Sequence, residues 1–415
     1  MTRLLLLIPS TSYRVSDFVT AAHRLGIDVT VGSNQRQVLE SLNEAGSITI
    51  EFSNPDVAVE EIKKFHNSFP IIAIVAVDDE TGIIASKASQ KLGFKCNSPE
   101  AVMATGNKLL LRQALSKADL SLTKYNTLGL DDDPIRIARK IDFPCVLKPL
   151  NLAASQGVIR ANTRQEFVRA FERIKLLLLN IEKNTQKVIL PKILIEDYIE
   201  GEEVALEGLM IDGKLTVLAL FDKPDPLEGP YFEETIYITP SQKPLETQES
   251  IKRMAEQAAS AIGLVEGPVH IELRVQPSGQ SNNKTGPWVI DMAARSIGGL
   301  CSRSLQFDED LTLEDIILRH AINEPIEVNR EAKASGVMMI PIPKAGTLER
   351  IDGTLEAQAV NGITNITISM TIGEKLIPLP DGNKYLGFIF AKADQPEDVE
   401  TALRSAHSKL SFRIS

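Results

Sequence analysis

Two short apolar runs late in the chain each carry a single acid, and that pattern restricts both fold and chemistry. Glu272 sits in PVHIELRV and Asp291 in PWVIDMAARSIGG, with the polar stretch QPSGQSNNKTGP between them. Each run is bounded by Pro or Gly, so each reads as a buried β-strand and the polar stretch as the hairpin joining them. Side chains two apart on a strand share a face, which puts Glu272 with His270 and Arg274, and Asp291 with Val289. Paired across the hairpin, the two acids point into one space. Buried carboxylates without a cation are unfavourable, and a bound Mg²⁺ removes that penalty. The pair predicts a site for metal and phosphate.

The start of the chain alternates strand and helix. RLLLLIPS is a strand, Val15 to Leu25 has helical apolar spacing and stops at Gly26, and DVTVGS is a strand again. PIIAIVAVDDE and the helix TGIIASKASQKLG repeat the unit, which predicts an open α/β sheet with parallel strands. Pro9-Ser10-Thr11-Ser12 stands where GxGxxG would be, so no dinucleotide fingerprint is present. Asp78 and Asp79 fall at a strand's carboxyl end, where such sheets bind ligands, and a helix N-cap at Asp79 or Thr81 explains them equally well. With 415 residues and 43% hydrophobic content, two to three domains are expected. A net charge of -10 argues against a nucleic-acid partner. Cys96, Cys145 and Cys301 have no CxxC spacing, which points to a reducing cytoplasm and away from disulfides or structural zinc. RLLLLIP is too short to span a bilayer and lacks a cleavage site, so neither membrane nor export is expected.

From Asn107 the pattern changes to a helix, GNKLLLRQALSKADL, and then strand, loop and strand in FPCVLKPLNLAASQGVIRANT. Lys148 ends the first of these strands, sharing a face with Val146, where a lysine either snorkels or meets an anion. Asn151 to Gly157 is small and polar, suited to a mobile flap. KILIEDYIEGEEVALEGLMIDGKLTVLAL reads as a strand, an acidic linker and a hairpin turning at Asp212-Gly213. Glu196, Glu202 and Glu203 fit a solvated turn as well as a site. His270 is expected to be a satisfied core histidine, and Cys301 a small buried hydrophobe without an activating partner.

In their order, Asn107-Lys108, VLKP with Lys148, Ser155-Gln156-Gly157, IEDYIEGEEV, ELR with Glu272, and VIDMAARSIGG with Asp291 and Arg295 resemble the ATP-grasp superfamily. FDKPDPLEGPYFEETIYITPS and KYLGFIFAKADQPEDVETAL are most similar to its carboxylate–amine ligases of the L-amino-acid (dipeptide) ligase group. The resemblance implies a mixed α/β and α+β fold. A wound parallel-sheet domain would cover residues 1–104, a two-lobed ATP-grasp domain 105–323, and a small C-terminal α+β domain 324–415. It implies ATP and Mg²⁺, with Mn²⁺ as a substitute. Lys108 and Lys148 would meet the α- and β-phosphates, and the amides of Ser155, Gln156 and Gly157 the β- and γ-phosphates. Glu196 would meet the adenine amino group, the Ile199 backbone the ring, Glu203 the ribose, and Glu272 and Asp291 the metal.

Ala293 stands where the family often has an asparagine, so one protein ligand to a second metal is missing. Arg295 would stabilise the moving phosphoryl group, the alternative being a structural pair with Asp291. Arg295, Lys148 and Glu234 are candidate catalytic residues. Lys223, Phe232 and Glu234, on a Pro-rich segment that reads as a substrate cover, are candidate substrate contacts together with Arg274, Gly298 and Gly299. The implied reaction phosphorylates a carboxylate and lets an amine displace phosphate, forming an amide or peptide bond with release of ADP and phosphate. Its partners would be small-molecule carboxylates and amines, in a possible homodimer. Two alternatives remain at this point: a biotin-carboxylase-like or formate-using enzyme of the same superfamily, and a nucleotide-binding protein with a decayed site.

Overall fold

Four consecutive leucines, Leu4 to Leu7, are fully buried in the strand Arg3–Leu7. Leu4 and Leu6 pack with Phe18 of the helix Val15–Arg24, while Leu5 and Leu7 pack with Ile62 of the helix Pro55–Ser68. A strand covered on both faces has no polar side, which is why this run does not alternate. It lies between Asp28–Ser33 and Ala73–Ala76 in a four-stranded sheet completed by Ser47–Thr49, all parallel. The helix Asp79–Leu92 follows and closes on Gly93 in the left-handed conformation. Asp78 is its N-cap residue without a side-chain bond, so Asp79 and Thr81 both lie inside the helix and neither is the cap. The Thr81 hydroxyl instead donates to the Leu7 carbonyl at 3.1 Å. The computed structural model describes the chain except residues 1–2, 11, 13, 36–44, 121–122, 185–189, 277–285 and 327. Thr11 and most of the expected hairpin after Glu272 therefore lie outside the described residues.

The helix Pro99–Thr105 runs through the expected first boundary, and Ala101 packs with Leu111 and Ile251 in the core that also holds Leu206 and Ile271 of the large sheet. A small lobe is built on the antiparallel strands Tyr125–Gly129, Lys192–Asp197, Cys145–Pro149 and Ile159–Ala161. The helix Arg164–Asn184 buries Phe167 and Phe171 against it.

The large lobe is one eight-stranded antiparallel sheet. Its order is Trp288–Ala293, Gly267–Val275, Glu202–Ile211, Lys214–Asp222, Ile236–Thr239, Ala334–Ile340, Gly387–Ala393 and Ile363–Ile368. Asp212 (φ 47°) and Gly213 (φ 79°) form the tight turn read from the sequence, whose two central residues need positive φ. The last three strands come from beyond residue 323, so the sheet continues across the second expected boundary. A three-stranded sheet of Lys375–Leu376, Gly346–Asp352 and Ser411–Ile414 completes the C-terminal segment. Among the described residues no helix is long and apolar enough to cross a membrane.

Glu272 pairs directly with Asp291, as the sequence suggests. The register then slips: Leu273 faces Val289, and Ile290 has no partner. This bulge breaks the period-two alternation. Val289 and Met292 both face the apolar core with Ile271 and Leu273, so Asp291 does not share a face with Val289. Asp291 shares the side of Glu272 through their direct pairing, and the extra residue turns Val289 to the opposite, core side.

Candidate active site

Glu272 belongs to a cluster in which three acids surround one ammonium. Lys223 directly follows the strand Lys214–Asp222, and its Nζ lies 2.8 Å from Glu203, 2.5 Å from Glu234 and 3.2 Å from Glu272. One oxygen from each acid falls within 4.8 Å of the others. Burial works to raise the Glu272 carboxyl, yet Lys223 and His270 hold it well below the usual range. Glu234 is pushed up by burial and then by the charge of Glu272. His270 is buried as expected, but it is more than a core filler. Its Nδ1 lies 3.1 Å from Glu207 and its Nε2 3.7 Å from Glu272. Burial opposes a charge on the ring, and the two carboxylates outweigh it, taking the imidazole up to about 9. Ala293 faces His270 across the strand pair.

A second cluster has the reverse composition. Glu196, buried at the end of the strand Lys192–Asp197, receives the Lys148 ammonium at 2.7 Å and the Arg112 guanidinium through Nε and Nη2. Burial alone would raise this carboxyl, but Arg112 and Lys148 bring it down to about 2. Lys148 is thus neither snorkelling nor free, and both Glu196 oxygens are engaged by Arg112 and Lys148. Arg112 was not singled out from the sequence. The signal was there: Lys108, Leu111, Arg112 and Leu115 form the buried stripe of the helix Lys108–Lys117, where an arginine needs a partner. Arg112 Nη2 also donates to the carbonyl of the bulged Ile290 at 2.7 Å. One turn earlier, Lys108 lies 2.9 Å from Asp291 and donates to the Leu152 carbonyl at 2.9 Å. Asp291 is therefore tied to Lys108, beside the acid trio but outside it.

Arg274 is not exposed to a substrate. It is 3% exposed and donates to Glu203 at 3.1 Å, to the Ile199 carbonyl at 2.6 Å and to the Leu227 carbonyl. Its guanidinium lies against Tyr198 and Phe232, whose rings stack with centroids 6.4 Å apart. It is a strut between the linker at Ile199, the covering segment and Glu203, and Phe232 is part of the same packing. Glu202, by contrast, is exposed and pairs with Lys243 at 2.6 Å.

Arg295 pairs with Asp79 of the first domain at 2.9 Å and donates to the Ser296 carbonyl, so its partner is not Asp291. The same turn is held from below by Arg14, almost fully buried, which donates to the Ser296 hydroxyl at 2.8 Å. A Cβ on Gly299 would lie 2.9 Å from the Phe388 ring, so that turn requires glycine. Gly298 is free of such contact, with the Arg295 guanidinium 3.9 Å away. The flap is docked rather than loose. Gly157 N–H donates to the Pro380 carbonyl at 2.8 Å and Gln156 to the Asp381 carbonyl at 2.6 Å, while Ser155 takes a positive φ of 53°. Arg173 grips the Asp381 carboxylate through two bonds, at 3.0 and 2.8 Å. All three cysteines are free thiols, and burial takes Cys145 up to about 12 and Cys301 up as well, so neither is activated.

Three domain models match the chain: an ATP-grasp N-terminal domain over residues 19–94, an ATP-grasp domain over 141–304 and an L-amino acid ligase C-terminal domain 2 over 338–415. The protein y4rH of Sinorhizobium fredii is 22% identical over 420 residues, covering all of this chain and 84% of that one. An alanine–anticapsin ligase of Bacillus subtilis is 27% identical over 252 residues, 58% of this chain and 52% of that one. The chain thus spans about half the length of the anticapsin ligases it matches. The crystal structure of an L-amino acid ligase from Bacillus licheniformis superposes with a TM-score of 0.80 at 24% identity, covering 100% of this chain and 99% of that one.

Proposed function

The chain belongs to the ATP-grasp superfamily, and from that premise we propose that it is an ATP-dependent carboxylate–amine ligase producing ADP and phosphate. The observation that carries the reading is a pair of charge clusters, one in which two cations share one acid and one in which three acids share one ammonium, joined through the paired Glu272 and Asp291 and the contacts of Lys108 and Arg112 to that strand. Lys148 and Lys108, now held by Glu196 and Asp291, would exchange carboxylate oxygens for those of phosphate. The amides of Ser155 to Gly157 would cover the outer phosphates once the flap leaves Pro380 and Asp381. Glu272 and Asp291 would hold Mg²⁺. The donor set fits, since both supply hard carboxylate oxygens, and the Lys223 ammonium already stands as a cation against Glu272. When bound, the metal would neutralise the phosphate oxygens and draw charge from the γ-phosphoryl group.

The γ-phosphoryl group passes to the substrate carboxylate, giving an acylphosphate and ADP. The amine then adds to the acyl carbon, the C–O bond to phosphate breaks, and the amine proton leaves with the displaced phosphate or solvent. Arg295 would stabilise the moving phosphoryl charge and the oxyanion that forms at the acyl carbon. The segment from Lys223 to Glu234 would keep water from the acylphosphate. The three free thiols suit a reducing cytoplasm. The test is ADP and phosphate release with a panel of amino acids offered singly and in pairs, with the condensed product followed by mass. Release that is indifferent to every amino acid would overturn the ligase reading.

A further inference from the structure

We propose that Lys223 is a built-in counter-cation for the divalent-metal position, so that metal reaches Glu272 only by driving this ammonium off it. The inference rests on the ligase reading for the metal itself. An ammonium has three N–H donors, and Glu203, Glu234 and Glu272 accept one each, which saturates it. The side chain is 3% exposed, so no water competes for those donors. The base of the side chain is fixed as well. Asp222, its neighbour, accepts from the Ser241 hydroxyl at 2.6 Å and the Gln242 N–H at 2.7 Å, so only the methylenes of Lys223 are left to swing.

The two cations cannot share this space. A magnesium ion sits about 2.0–2.1 Å from its oxygen ligands, and the Glu272 oxygen already has Nζ at 3.2 Å. Metal bound there would leave like charges separated by a few ångströms in a buried pocket, where repulsion is strong. Metal arriving alone would leave the displaced ammonium one acceptor short, bonded only to Glu203 and Glu234 and still close to the ion. Metal arriving with a phosphate brings that acceptor with it. Lys223 therefore makes metal binding conditional on the nucleotide. Its position explains why a lysine rather than a neutral donor lies under three acids, one of which, Glu203, already has Arg274.

The test is Mn²⁺ binding to the full chain without nucleotide, read by electron paramagnetic resonance. Lys223→Met should tighten Mn²⁺ about tenfold or more, a gain of affinity from a variant that should lose ligase turnover. Should Lys223→Met not fold, Lys223→Met/Glu234→Gln removes one charge of each sign and is compared with Glu234→Gln, with the same gain expected. Unchanged or weaker Mn²⁺ binding in a folded variant overturns the inference. Glu272→Gln separates the two layers of the argument. If it weakens Mn²⁺ binding in the presence of ATP while Lys223→Met shows no gain, the metal assignment stands and the role of Lys223 falls. If it leaves Mn²⁺·ATP binding untouched, the metal assignment falls and takes this inference with it.

Discussion

The two charge clusters are opposites. On the small-lobe side two cations, Arg112 and Lys148, share one carboxylate, Glu196. On the large sheet one ammonium, Lys223, is shared by three carboxylates. The first cluster can release Lys148 to an anion and keep Arg112 on Glu196. The second can release its lysine to admit a cation. A metal–nucleotide complex offers both charges at once, so on the proposed reading these two clusters should accept the complex better than either ion alone. Neither cluster is built from one stretch of sequence: the first closes when the helix Lys108–Lys117 meets the small sheet, the second when neighbouring strands of the large sheet meet the segment from Lys223 to Glu234.

The comparison breaks most sharply at Glu272. If the acid-rich cluster exists to take metal, Glu272→Gln should lower kcat about 10³-fold at saturating Mg²⁺, measured as ADP release. A loss under tenfold would make the surplus acids structural. Arg295→Met should lower kcat about 10²-fold while KM for ATP moves only a few-fold, because an arginine that follows the strand of Asp291 would act where charge develops. The reverse pattern, a steep rise in KM with kcat kept, would make it a nucleotide anchor.

Glu196 tests the cation-rich cluster through stability. Its carboxyl is held at about 2 in the folded protein against an ordinary 4.5. A depressed acid contributes stability that is present above 4.5 and is lost as pH falls from there through about 2. Wild type should lose about 3 kcal/mol across that window, seen as a falling urea midpoint, and Glu196→Gln should lack this step while starting less stable at neutral pH. Lys148→Ala gives the smallest effect. ATP affinity measured by calorimetry should fall about tenfold, since Arg112 keeps Glu196 satisfied and the fold intact. Unchanged ATP affinity would mean that the lysine serves Glu196 alone.

Much of the fold could be read from local signals. Arg3–Leu7, Asp28–Ser33 and the helix ending at Gly93 follow from apolar runs punctuated by glycine, and the hairpin at Asp212-Gly213 follows from its turn residues. The strand Ser47–Thr49 and the helix Pro55–Ser68 were not read, the strand being only three residues long. The site residues were recognisable as types, but their partners were not. Simple alternation places Asp291 with Val289, and the bulge at Ile290 that separates their faces exists only in the pairing with the neighbouring strand. Lys223 reads as one more charge in a Pro-rich cover because its acids come from two other strands and the far end of its own segment. Arg274 looked like a site residue from its face, and only the carbonyls of Ile199 and Leu227 reveal it as a strut. Asp79 pairs with Arg295 across more than two hundred residues of chain, a distance at which periodicity carries no information.

The strand Ile236–Thr239 has a consequence for anyone who would cut this protein into modules. Its other edge is covered by Ala334–Ile340, and all four of its residues are buried. Removing the C-terminal segment would uncover a row of unpaired amides and carbonyls flanked by Ile236 and Ile238, and a bare apolar strand of that kind is a template for pairing with other chains. A fragment ending near residue 330 would self-associate before it could bind a nucleotide. For fusion or shuffling, the severable unit is therefore the whole eight-stranded sheet with the strands that cap it.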